Sequence, residues 1–244
     1  MLKTLKNLWF RDINEKPLYI NDVAVRIRAG ILILIPIFLS YTLYDAIFGS
    51  HWIVDSSTAV DTLDTDFDDH IIYKVEAIKK TYDYTVQTIV LFYALFEMLA
   101  GMSKYTARLS PTILIASFLA KTQKPVWKPL APKRFAWTIG AIFITICLIF
   151  FNPDTFATWV NTIAHTKILP DDRQYMPYWI PLTLIWVCFG FMWLECNLGV
   201  CMGCYIYAIL VKIGIIKEEC KECGNIFSAE AQKAREKYYK SKGD

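Results

Sequence analysis

Ile27-Arg-Ala-Gly-Ile-Leu-Ile-Leu-Ile-Pro-Ile-Phe-Leu-Ser-Tyr-Thr-Leu-Tyr-Asp-Ala-Ile-Phe48 is the stretch that decides the fold. Its only charged residues are Arg28 and Asp45, one near each end, and no charged stripe runs between them. Three further stretches read the same way: Thr85–Met102, Phe135–Phe151 and Trp179–Val200. Each is roughly 17–22 residues long, what a hydrocarbon core of about 30 Å requires of a helix. The chain is 55% hydrophobic, above the usual range for soluble domains, and its apolar residues cluster instead of alternating. Four buried helices of a soluble bundle would each carry a polar face, which these stretches lack. The expected fold class is therefore all-α: a polytopic membrane protein with four transmembrane helices, arranged as two helical hairpins with short interfacial helices. Residues 1–244 form a single integral membrane domain on this reading. Its spans are 27–48, 85–102, 135–151 and 179–200, and its tail is 217–244.

The Lys/Arg distribution sets the expected orientation. Six lie at Lys3, Lys6, Arg11, Lys16, Arg26 and Arg28, and seven lie at Lys104, Arg108, Lys121, Lys124, Lys128, Lys133 and Arg134. Eight more follow Val211, against five in the two remaining connections. Translocated loops are poor in these residues, so both termini and the central connection are expected in the cytoplasm. An even number of spans agrees. No small-residue cleavage site follows the polar segment Met1–Arg26, so the first span is expected to remain as a signal anchor.

The connections carry their own signals. Asp61, Asp64, Asp66, Asp68, Asp69 and His70 lie in the first external loop without the glycine and terminal glutamate of a calcium loop, and read as a solvated acidic run. Ile72, Val75 and Ile78, with Lys79 and Lys80, read as a helical approach to the second span. Trp52, Trp159, Tyr178 and Trp179 suit an outer aromatic belt. In the central loop, Ser110 followed by Pro111 predicts a helix start, and the run Ile113–Ala120 is too short to span. The second span ends Leu95-Phe-Glu97-Met-Leu-Ala-Gly101 and the fourth ends Trp193-Leu-Glu195-Cys-Asn-Leu-Gly199. Aligning Glu97 with Glu195 suggests a parallel internal repeat, each half holding two spans and a short helix.

Candidate chemistry centres on cysteine. Cys201/Cys204 and Cys220/Cys223 form two Cys-x-x-Cys pairs, whose separation suits a four-thiolate zinc site. The apolar segment Tyr205–Ile216 between them argues against one shared ion, and a reducing compartment disfavours permanent disulfides. Metal ligation, transient redox or sulfur chemistry, and plain packing all stay open. Cys201 as a redox thiol needs a helix N-terminus, which a break at Gly199 or Gly203 would create. Glu97 and Glu195 are carboxylates inside spans, where ionisable groups are costly and usually partnered. They read either as structural partners of Arg26, Arg28 or Arg134, or as proton-handling groups, with Glu195 close enough to Cys201 to serve as its base. Cys147 and Cys188 read as small apolar fillers.

The segment Glu195-Cys-Asn-Leu-Gly-Val-Cys-Met-Gly-Cys-Tyr-Ile-Tyr207 resembles the C-terminal signature of a bacterial membrane family called domain of unknown function 4395. Pro132-Lys-Arg-Phe-Ala-Trp-Thr-Ile-Gly140 and Val23-Ala-Val-Arg-Ile-Arg-Ala-Gly30 resemble its other motifs, so the likeness runs from about Asn21 to Gly214. It singles out Arg134, Phe135, Gly140, Glu195, Gly199, Cys201, Gly203, Cys204 and Tyr207, and implies the bacterial cytoplasmic membrane. The acidic external loop and the Cys220/Cys223 tail depart from its pattern. Its loose association with thioredoxin-like and rhodanese-like proteins implies a soluble partner of that kind. The leading expectation is a thiol–disulfide, sulfur or electron relay through Cys201 and Cys204, with Glu195 tuning them. The alternatives are a non-enzymatic scaffold or assembly subunit with zinc on Cys201, Cys204, Cys220 and Cys223, and a small-solute transporter coupled through Glu97 and Glu195.

Overall fold

Among the described residues, four helices are long and apolar enough to cross a membrane: Asp22–Tyr44, Thr85–Met102, Leu130–Phe150 and Trp179–Leu198. They belong to a computed structural model that describes residues 9–14, 16–50, 52–79, 83–150, 153–170, 175, 177 and 179–216. Leu34, Ile37, Tyr41, Ile89, Phe92 and Trp186 face outward from these helices. That apolar exterior is the reverse of a soluble bundle.

The first of the four is two segments, α1 (Asp22–Leu32) and α2 (Leu34–Phe48). Pro36 has no N–H to give the Leu32 carbonyl, and the helix breaks at Ile33. Asn21 caps α1 by accepting the Val23 N–H at 3.1 Å, and Asp22 places an anion on the first turn. The others are α3 (Thr85–Met102), α5 (Leu130–Phe150) and α7 (Trp179–Trp193), the last continued by a π-helical turn over Leu194–Leu198. Two short apolar helices, α4 (Pro111–Leu119) and α8 (Met202–Ile213), follow the second and fourth long helices, and α6 (Pro153–Ala164) follows α5. Ser110 caps α4 as its sequence predicts, its Oγ accepting the Ile113 N–H at 3.1 Å.

Two boundaries differ from expectation. The first and third long helices begin at Asp22 and Leu130, a turn or more before Ile27 and Phe135. Arg26, Lys133 and Arg134, counted with the connections, lie on these helices, where Arg26 and Lys133 form ion pairs with Asp22. Pro132 falls in the first turn of α5, where a missing N–H costs nothing.

The expectation of an all-α chain is corrected to a mostly helical one with two small antiparallel sheets. β1 (Tyr19–Asn21), immediately before α1, pairs with β4 (Trp127–Pro129), immediately before α5, with Ile20 opposite Lys128. β2 (Trp52–Thr65) and β3 (Ile71–Lys79) form a hairpin from Trp52↔Lys79 to Thr65↔Ile71. The helical approach expected at Ile72, Val75 and Ile78 is therefore a strand. Tyr73, Val75 and Ala77 alternate with Lys74 and Glu76, and this period of two overrides the helical spacing. The acidic run turns the hairpin. The Asp66 carboxylate accepts the N–H groups of Asp68 and His70, each at 2.9 Å, which holds this exposed acid below its usual value.

The packing repeats itself. α3 lies against α5 and α2 against α7, while α4 lies on α1 and α8 on α5. The β1–β4 pair brings the segments preceding α1 and α5 together, with α4 and α8 packed beside them. The basic connections thus meet at one end of the bundle.

Candidate functional site

Two carboxylates lie at that end. Glu97, on α3, is fully buried. It accepts from Arg28 Nη2 at 3.1 Å, from Ser110 Oγ at 2.6 Å and from Thr112 Oγ1. Arg28 also donates through Nη2 to the Glu97 carbonyl, and through Nε to Thr112 at 3.1 Å. Its guanidinium faces the Trp9 ring at 5.7 Å and the Trp137 ring at 5.4 Å, and those two indoles stack on each other. Gly101 makes room for this, since a Cβ there would stand 2.6 Å from Arg28 Nη1. The result is a buried ion pair reinforced by two hydroxyl donors on one carboxylate oxygen, contacts that help such a pair offset desolvation.

Glu195 lies in the π-helical turn and remains partly open, its side chain 15% exposed. It accepts from Lys133, which also reaches Asp22 Oδ1 at 3.3 Å and is itself buried. Asp22 Oδ2 holds Lys128 at 2.8 Å and Arg26 at 3.1 Å. Burial pushes the Lys128 ammonium below the ordinary lysine value, with Asp22 pulling the other way. Glu195 and Asp22 thus face three cations, and the second site ends in a buried ammonium.

Cys201 and Cys204 line a small cavity together with Lys133. The π-turn closes at Gly199, whose φ of +67° is left-handed and suits glycine. A side chain there would also run into Arg26. The chain re-enters helix at once, with Cys201 as the N-cap of α8 and its Sγ accepting the Cys204 N–H at 3.3 Å. The break at Gly199 therefore places Cys201 at the positive end of a helix dipole, the condition the sequence left open. Gly203 lets α8 cross closely over Ala136 of α5. The sulfurs of Cys201 and Cys204 are at disulfide distance, with Cα atoms 5.2 Å apart. Both residues are nearly buried, 7% and 4% exposed. A small cavity of about 20 Å³ joins Lys128, Lys133 and Gly199 to the two cysteines.

The remaining candidates scatter around this centre. Arg134 is exposed and donates to the Met102 carbonyl at 2.8 Å. Phe135 packs on the buried Tyr207 at 5.6 Å between ring centroids. Cys147 and Cys188 border one apolar cavity within the bundle. Cys220 and Cys223 lie outside the described residues. Among the described residues, no group of three or more His, Cys, Asp or Glu side chains is arranged to hold a metal. Sequence reasoning missed Lys133 and Asp22 as site residues, having counted Lys133 only as a loop charge. The available signal was Asp22 beside the Asn21 cap, an acid with no reason to be solvated.

The family model described as Domain of unknown function (DUF4395) matches residues 77–212, more than half of the chain. The chain belongs to this family. The DUF4395 match takes in Glu97, Lys133, Glu195, Cys201 and Cys204, while Asp22 and Arg28 lie before it, as does the Val23–Gly30 likeness. No curated protein and no solved structure matches the chain.

Proposed function

We propose that this DUF4395 protein is embedded in a bacterial cytoplasmic membrane as a parallel repeat of two helical hairpins. Its basic end and both termini face the cytoplasm, and it exchanges thiols and disulfides through Cys201 and Cys204. The observation that carries the reading is the placement of the pair: a cysteine capping a helix N-terminus, its partner at disulfide distance, and the buried Lys133 lining one small cavity with both. A helix N-terminus and a nearby cation each favour thiolate over thiol. Glu195 acts through Lys133, holding the ammonium next to the cysteines, and is a positioning residue. Glu97 is fully buried and takes three donors on one carboxylate oxygen, which favours a structural role for it over transport coupling.

In the exchange, a soluble thioredoxin-like partner attacks Cys201 Sγ with a thiolate. The Cys201–Cys204 bond breaks, Cys204 leaves as a thiolate, and a mixed disulfide forms at Cys201. The partner's second thiolate then displaces Cys201, leaving an oxidised partner and a reduced pair. The reverse direction supplies the test. In Cys204→Ser, Cys201 keeps its thiol and has no resolving sulfur. Membranes carrying this variant, given an oxidised thioredoxin-like protein, should accumulate a mixed disulfide that dithiothreitol reverses and Cys201→Ser abolishes. No adduct with that protein or with oxidised glutathione would overturn the proposal.

A further inference from the structure

We infer that the electron acceptor of the reduced pair is a lipid-soluble quinone, held in an apolar slot between α1, α5 and α7. This rests on the thiol reading above and adds its substrate class. A cavity of about 80 Å³ opens beside Cys201, large against the roughly 10–15 Å³ that a single water needs. Leu32, Met98, Trp137, Phe143, Phe191 and Met192 are among its walls. Its ionisable lining groups besides the cysteines are Arg28 and Glu195, which lie in the same basic end as Cys201. A second cavity of about 50 Å³ shares Met98, Gly140, Phe143, Cys188 and Met192 with the first and reaches Ile35 and Cys147. Along α5 the two run from Ala136 to Cys147, about 16 Å at the helical rise. Gly140 lines both cavities, and a Cβ there would touch only Met98, at 3.5 Å from its sulfur.

The slot has polar groups at one end and apolar walls along its length, which matches a molecule with a compact polar ring and a long apolar tail. The chemistry narrows this further. The pair gives up two electrons, its sulfurs are nearly closed to water, and the adjoining space is apolar. A quinone takes two electrons, dissolves in lipid and accepts thiolate addition. Cys201 thiolate adds to a ring carbon, forming a C–S bond and pushing a carbonyl to phenolate. Cys204 thiolate then attacks Cys201 Sγ. The S–S bond forms, the C–S bond breaks, and its electron pair returns to the ring. The two thiol protons end on the two quinol oxygens, so a dithiol and a quinone become a disulfide and a quinol.

The test uses the full chain, reduced, in phosphatidylethanolamine/phosphatidylglycerol nanodiscs without oxygen, with decylubiquinone as probe. Quinone absorbance should fall by one equivalent per Cys201–Cys204 pair as both thiols become resistant to alkylation. Gly140→Leu, which fills the slot, should slow the reaction at least ten-fold. Gly140→Ala, whose methyl fits at ordinary contact, should slow it only a few-fold and guards against misfolding. Cys204→Ser with the same quinone should give a covalent adduct at Cys201, seen by mass. Exchange with the thioredoxin-like protein but no quinone reduction would overturn this inference and leave the thiol reading standing. Equal rates in wild type and Gly140→Leu would overturn the slot as the binding place. A long-chain alcohol that shields the thiols, with no quinone reduced, would mark the slot as a lipid site and overturn the inference too.

Discussion

The two carboxylate sites share their parts and differ in how far each is closed. Each has a glutamate on a long helix, a basic residue from the preceding long helix, and a short helix starting nearby. In the first, the cap of the short helix is Ser110, and its hydroxyl serves both the Ile113 N–H and Glu97. In the second the cap is Cys201, and its sulfur accepts the Cys204 N–H. Oxygen in the first site ties the cap to the buried glutamate. Sulfur in the second leaves a polarisable, oxidisable atom beside a buried ammonium. On the proposed function, the same backbone device serves as a rivet in one half and as a reactive centre in the other, the difference lying in the cap atom and in how far the glutamate is buried.

The largest effect should come from breaking the rivet. Arg28→Leu leaves Glu97 buried with only hydroxyl partners, and removal of one member of a buried pair costs about 3–5 kcal/mol. The thermal midpoint in detergent should fall steeply, with the loss of the Trp9–Trp137 stack visible in tryptophan fluorescence. If Glu195→Leu instead proved the more damaging of the two, the assignment of a structural first site and a functional second one would be reversed.

Lys133→Met should be milder in stability and sharper in chemistry. Asp22 keeps Lys128 and Arg26, and Glu195 is open enough to recruit water, so a cost of about 1–3 kcal/mol is expected. With the ammonium gone, alkylation of the reduced pair at neutral pH should slow roughly several-fold, because less of the sulfur is thiolate. Glu195→Gln should move that rate less, and in the same experiment. An unchanged alkylation rate in Lys133→Met would separate the cation from the thiols.

Much of the frame was legible in the amino-acid order. The four apolar runs and the Ser110 cap follow from local composition, and a buried carboxylate such as Glu97 implies a cation, of which Arg28 was a named candidate. What escaped was long-range. Nothing near Tyr19 announces that it will pair with Pro129, and without that pairing Asp22 and Lys133 have no reason to meet. The hairpin was misread because Ile72, Val75 and Ile78 fit a helix while Tyr73, Val75 and Ala77 fit a strand, and Val75 belongs to both patterns. The π-turn left one trace, Gly199, whose left-handed φ closes the long helix just before its expected end at Val200 and lets a new helix start after Cys201.

The smallest effect is the most telling for the comparison. If Cys201 stands where Ser110 stands, Cys201→Ser should restore the first site's device in the second. The hydroxyl caps α8 at least as well as sulfur does, so stability should stay within about 1 kcal/mol of wild type. Cys201→Ala removes the cap acceptor and should cost about 1 kcal/mol relative to Cys201→Ser. Both variants lose thiol exchange completely, so unfolding midpoints, measured under reducing conditions to remove any cross-link, isolate the cap. Equal midpoints for the serine and alanine variants would show that the Cys201 sulfur does no capping. The correspondence between the two sites would then reduce to their glutamates.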